Sequence, residues 1–140
     1  MHDNFYHKVK VYYEDTDSGG IVYYANYLKF LERARTEALV SIGFSNKKIK
    51  NDFKSLLIVK SCNIDYKKSA HLEDELTIRS FVKSITKTSF FINQFITRNK
   101  DLIVEAKIHL VFVNEIGKPV KIPEKIYSKF KPYFCDSIKI

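Results

Sequence analysis

Residues 11–35 read VYYEDTDSGGIVYYANYLKFLERAR. Three carboxylates, Glu14, Asp15 and Asp17, crowd the front of this stretch. Gly19 and Gly20 follow, and then an apolar and aromatic run. From Asn26 onward the period changes. Tyr27, Phe30, Leu31, Ala34, Ala38 and Ile42 fall at i, i+3, i+4, i+7, i+11 and i+15, which predicts an amphipathic helix from Tyr27 to Ile42. Gly43 stands where a left-handed C′ residue would end it. Glu32, Arg33, Arg35, Thr36 and Glu37 lie off the centre of the stripe.

Upstream, FYHKVKVYY (5–13) alternates as a strand, with Phe5, Val9, Val11 and Tyr13 sharing a face with His7. Downstream, FSNKKIKNDFK (44–54) is polar and basic and reads as a loop with some helical character. Four strands are then predicted: 56–66, 75–85, 89–97 and 102–113. The last has the cleanest period of two, Val104, Ala106, Ile108, Leu110 and Phe112 alternating with Glu105, Lys107 and His109. The joints KKSAHLED, ITKT and RNKD are too short for parallel crossovers and imply antiparallel neighbours. The tail turns at Gly117-Lys118-Pro119 and begins a short helix after Pro123, with Ile126, Tyr127 and Phe130 on one side. A sheet with an apolar face and one long helix to cover it predicts an α+β fold. In it, a curved antiparallel sheet of about five strands wraps around the helix, and the free edges are protected by charge or by oligomerisation.

The 140 residues fit one domain spanning 1–140, and 45% hydrophobic with 14% aromatic residues supply a core. MHDNFYHKVK has no signal-peptide core, and the longest apolar run, Ile21 to Ala25, is too short to cross a bilayer. Cys62 and Cys135 form neither a disulfide framework nor a metal pattern, so a reduced, cytoplasmic setting is expected. The net charge of +8 comes mostly from scattered lysines; it permits an anionic ligand without specifying one.

Acids this close raise one another's pKa, so the EDTD cluster asks for a use. As a calcium loop it places Asp15, Asp17 and Gly20 at positions 1, 3 and 6, but puts Gly19 at position 5 and Asn26 at position 12, where ligands are required. As a phosphoryl-transfer motif it lacks the parallel nucleotide-type sheet. Two readings remain. The acids cap the following helix, or a carboxylate works as base or nucleophile beside the unpaired N–H groups of the helix head, the minimum equipment for acyl transfer.

The run from Val11 to Arg35 closely resembles the signature of hotdog-fold acyl-CoA thioesterases, nearest to the branch of 4-hydroxybenzoyl-CoA thioesterase and the thioesterase of the Tol-Pal system. The order is Asp-x-Asp, small residues, Gly, a hydrophobic pair, an aromatic, then Asn-Tyr and Glu-x-Ala-Arg. Weaker likeness continues through Asp65-Tyr66, Asp74-Glu75-Leu76, Lys87-Thr88-Ser89-Phe90 and Lys118-Pro119…Ile122-Pro123, nearly the whole chain. The resemblance implies that Asp17 is the catalytic acid and that a backbone N–H near Tyr24 polarises the thioester carbonyl. It implies that Gly20 admits the substrate closely and that Asn26 and Tyr27 shape the head of the helix. Lys87, beside Ser89, would meet the CoA phosphates, with Lys83, Lys118 and Lys121 as weaker candidates.

It further implies an acyl-CoA substrate and sites lying between the subunits of a homodimer or a dimer of dimers, a homotetramer; the sequence leaves open whether the donor is CoA or an acyl carrier protein. No cofactor is expected, CoA being part of the substrate, and no metal. The sequence departs from the Tol-Pal branch at Tyr24, where VYYANY stands in place of VYHANY, and at Ser69, where Pro is usual. His7, His71 and His109 have no partner at triad or ligand spacing and read as surface or interface residues; Cys62 reads as a small core residue and His2 as frayed. Two rivals stand beside hydrolysis. A hydroxyacyl-thioester dehydratase would pair a His with the acid, and the central motif has none. A basic module for RNA or acyl carrier protein would want exposed aromatics among clustered cations, whereas here the aromatics fall at core periods, so no nucleic-acid partner is expected.

Overall fold

The computed structural model describes residues 3–134; His2 and Cys135 lie outside them. Five strands, β1 (Phe5–Lys10), β2 (Leu56–Tyr66), β3 (Glu75–Ile85), β4 (Ser89–Arg98) and β5 (Asp101–Val113), form one antiparallel sheet in the order β1-β3-β4-β5-β2. Two of the short joints, ITKT and RNKD, link antiparallel neighbours, β3 to β4 and β4 to β5, as expected. KKSAHLED does not, because it carries the chain from β2 to β3 with β4 and β5 lying between them in the sheet. Three helices accompany the sheet: α1 (Asn26–Ser41), α2 (Asn46–Phe53) and α3 (Glu124–Phe130). The expectation of one long helix and a short one therefore undercounts.

α1 buries Tyr27, Phe30, Leu31, Ala34, Ala38 and Leu39, the predicted stripe with Leu39 added and Ile42 moved to the cap. Its C-terminus is a Schellman motif. Gly43, at φ +99°, donates to the Val40 carbonyl at 2.9 Å, and Phe44 donates to that of Leu39 at 2.9 Å. The face of the sheet toward α1 carries Leu76, Ile78, Phe90, Ile92, Ile96, Ala106, Ile108 and Phe112, all buried. One polar group crosses this core. Gln94, itself buried, donates to the Leu31 carbonyl at 3.1 Å and accepts from Arg35 at 3.0 Å, tying α1 to the middle of β4. Burial pulls the Arg35 guanidinium below its ordinary pKa.

Three local expectations need correction. β1 stops at Lys10, and Tyr13 lies exposed in a 3₁₀ turn (Tyr13–Asp15) instead of on the strand face. Residues 46–53 are a helix because Ser45 caps it, accepting from the Lys48 N–H at 3.1 Å, and Ile49 anchors it in the core. Cys62 is exposed, since β2 is an edge strand bonded only to β5. Among the described residues no helix is long and apolar enough to cross a membrane.

Candidate active site

The acidic stretch folds into a turn ahead of α1, and its two aspartates have separate uses. The Asp15 carboxylate accepts from the Tyr12 N–H at 2.9 Å, closing the 3₁₀ turn. Its carbonyl accepts from the Tyr23 N–H at 3.0 Å and from Asn26 Nδ2 at 2.9 Å. Asp17 turns back on itself: its N–H donates to the Ile21 carbonyl at 2.9 Å and its Oδ1 accepts from the Gly19 N–H at 2.8 Å. None of the acids caps α1, whose N-cap, Ala25, has no side-chain hydrogen bond. The capping reading of EDTD is thereby set aside.

The two glycines serve this turn differently. A Cβ on Gly19 would come within 3.3 Å of Asp17 Oδ1, so the small residue leaves room for the carboxylate that bonds its own N–H. Gly20 sits at φ +81°, a conformation that side chains disfavour, with open space where a Cβ would stand. Its requirement is the turn.

Asp17 faces a cleft of about 370 Å³ that it lines with Tyr23, Tyr24, Tyr27, Tyr66 and Ser69, with Lys67 and Lys68 at its side. At the head of α1 the N–H groups of Asn26, Tyr27 and Leu28 are taken by the carbonyls of Tyr23, Tyr24 and Ala25. Among the described residues, those of Tyr24 and Ala25 have no acceptor. Asp17 and Tyr24 thus line one cleft, and the free amide of Tyr24 has that of Ala25 next to it in the chain; such amides can hold an oxyanion.

Tyr27 is 3% exposed, and its hydroxyl accepts the Ala70 N–H at 3.0 Å, tying the head of α1 to the residue after the cleft-lining Ser69. Burial raises its pKa despite that bond, and burial with nearby Cys62, Tyr24 and Tyr27 raises that of Tyr66. Both phenols therefore stay neutral at physiological pH. Tyr24 is 62% exposed, its ring 5.0 Å from Tyr23 and 6.1 Å from Tyr66.

Asp17, Tyr24 and Tyr27 thus come together at the cleft, and Asn26 braces the turn from behind. Lys87 and Ser89 do not join them within one chain. They lie at the β3–β4 turn, whereas the cleft lies at the start of β3. Ten residue steps along that strand span roughly 33 Å. Lys87 lines a second cleft, of about 420 Å³, with Thr86, Lys121, Ile122, Glu124 and Tyr127. Ser89 is buried, and its hydroxyl is 2.8 Å from that of Thr86, within the turn. Lys83 is half-buried on β3 and Lys118 exposed beside Gly117. Tyr23, Lys67 and Lys68 were not foreseen at the cleft; only Asp65-Tyr66 in the family pattern hinted at that end of β2.

The Thioesterase-like superfamily matches residues 11–130. The acyl-CoA thioesterase YbgC of Haemophilus influenzae is 37% identical over 133 residues, covering 93% of this chain and 97% of that protein. The Helicobacter pylori acyl-CoA thioesterase YbgC is 36% identical over 127 residues, 84% and 92% of the two chains. Among solved structures, a probable thioesterase from Bartonella henselae superposes with a TM-score of 0.83 at 31% identity, covering 86% of this chain and all of the other. The turn-then-helix cleft, the strand order and these matches agree: the chain belongs to the Thioesterase-like superfamily of hotdog-fold thioester hydrolases.

Proposed function

We propose that the chain hydrolyses acyl-CoA thioesters to the free acid and CoA, with Asp17 as general base and the Tyr24 and Ala25 N–H groups holding the carbonyl oxygen. The observation that carries this reading is that Asp17 and Tyr24 line one cleft, with the unengaged Tyr24 and Ala25 amides at an uncapped helix head. With Oδ1 held by Gly19, Oδ2 has no partner among the described residues and is free to take a proton. Water adds to the carbonyl carbon as its proton passes to Oδ2. The resulting oxyanion is stabilised by the two amides. Collapse re-forms the carbonyl, breaks the C–S bond and expels the thiolate, which takes the proton back from Asp17.

A thiol leaving group with pKa near ~8.5 departs with little protonation, so no separate general acid and no cofactor is required. Losing an oxyanion donor costs on the order of 10²–10³ in rate, which is why so few groups suffice.

We place the working site between two copies of the chain, each domain (1–140) a hotdog with α1 as its central helix. β2 offers an unpaired edge. Antiparallel pairing of two β2 edges about a two-fold axis sets the Asp17 end of one sheet beside the Lys87 end of the other. Lys87 and Lys121 then supply cations for CoA phosphates, with Tyr127 beside them. The test is a panel of short, long and aromatic acyl-CoAs, followed for free thiol and for enoyl product. Thiol release on at least one member, without enoyl product, is expected. Enoyl formation without thiol, or no turnover on any member, overturns the reading.

A further inference from the structure

Lys67, Lys68 and Ser69, the start of the segment 67–74, form one wall of the cleft, and one side chain outside the cleft holds that segment. Arg98, the last residue of β4, donates through Nη1 to the Ser69 carbonyl at 3.1 Å and to Asp74 Oδ2 at 2.9 Å, and through Nη2 to Asp101 Oδ2 at 3.3 Å. Asp74 Oδ2 also accepts the His71 N–H at 2.8 Å, and Lys68 pairs with Asp101 at 3.1 Å. A single guanidinium thus joins Ser69 and Asp74 of the segment to the β4–β5 turn, three-quarters shielded from solvent. Its planar fork suits three acceptors at once, which an ammonium cannot reproduce.

The segment in turn holds the acidic turn. Val22 donates to the Ala70 carbonyl at 2.9 Å, Leu72 donates to that of Gly20 at 3.1 Å, and Ile21 bridges His71. Ile21 is also the residue whose carbonyl accepts the Asp17 N–H. The chain of contacts therefore runs from Arg98 through Ser69 and Asp74, across Ala70 and His71, into Ile21 and Val22, and ends on the Asp17 backbone.

We propose that Arg98 is a positioning residue for the hydrolysis: by clamping segment 67–74 it fixes where the Asp17 carboxylate stands relative to the Tyr24 and Ala25 amides. This rests on the assignment of Asp17 as base. Small displacements of such a group carry large rate penalties, so the loss appears in turnover more than in binding.

The experiment compares Arg98→Ala and Arg98→Lys with the wild-type protein, in acyl-CoA turnover and in amide hydrogen exchange. For Arg98→Ala, kcat falls about tenfold or more while KM stays within about threefold, and Arg98→Lys recovers only part of the loss. In an Asp17→Asn background, Arg98→Ala changes the residual rate by less than about twofold, because the group it positions is already inactive. The Ala70 and Val22 amides exchange faster in Arg98→Ala, while those in the middle of β5 do not. Wild-type kcat in Arg98→Ala, an undiminished effect in the Asp17→Asn background, or a uniform rise in exchange across the sheet would each overturn the proposal. If the wild-type protein turns over no acyl-CoA, the Asp17 reading fails separately, and exchange at Ala70 and Val22 alone decides whether Arg98 is the clamp: unchanged exchange there rejects it.

Discussion

Asp17 spends one carboxylate oxygen on the Gly19 amide and keeps the other free, and that division of labour is the smallest unit of the account. The residues around it follow the same economy. Asn26 is consumed in bracing the turn, and Tyr27 uses its only hydroxyl on the Ala70 amide. Replacing Tyr27 with Phe leaves that buried N–H without an acceptor. The expected cost is about 1–3 kcal/mol of stability, measured by denaturant unfolding, with a loss of turnover larger than the stability change alone explains. At this scale spacing alone left Asp17 open between capping the helix and acid–base work, because a carboxylate ahead of a helical period serves either, and only the resemblance singled it out. The sequence did not speak for Gly20: an invitation to the substrate and a demand for positive φ leave the same letter. Nor could it speak for Arg98, whose acceptors include Ser69 and Asp74, far along the chain and without any local pattern.

The elements divide by how locally they are specified. α1 was legible from its stripe and from Gly43, since both its packing face and its Schellman end are written within consecutive residues. α2 reads in the sequence as a loop with only some helical character, because its eight residues carry one buried side chain, Ile49, and much of its definition comes from the Ser45 cap. Cys62 was misplaced because alternation along β2 does not say which strand ends up at an edge. Segment 67–74 depends on ionisation. Partial burial works against the Asp74 carboxylate, but the hydrogen bonds from Arg98 and the His71 amide, together with the charges of Arg98 and His71, outweigh it and hold the carboxyl below its usual range. A depressed carboxyl stabilises the fold above its unfolded pKa of ~3.9 and loses that contribution as pH falls through the folded value. Thermal melts between about pH 2 and pH 6 are expected to show Asp74→Asn less stable than wild type at the upper end, with the gap closing on acidification. A gap independent of pH would contradict the role given to the ion pairs.

Across the whole molecule the two sheet edges are treated differently. β1 exposes Lys8 and Lys10, charges that discourage pairing. β2 carries charges only at Lys60 and Asp65 and leaves Leu56, Ile58 and Val59, in its first half, 41%, 44% and 48% exposed, an apolar stretch of edge suited to a second copy. Ile58→Lys is expected to shift the protein toward monomer in sedimentation at micromolar concentration and to lower turnover in parallel; an unchanged assembly would move the shared site elsewhere. The sequence could announce that edges need protection, but not which edge, because strand order is fixed only by pairings between distant segments. The most direct test of the central claim is turnover by Asp17→Asn protein whose assembly and melting temperature match wild type. The account predicts acyl-CoA binding near the wild-type level with kcat lower by about 10³ or more; wild-type kcat in that variant would contradict it.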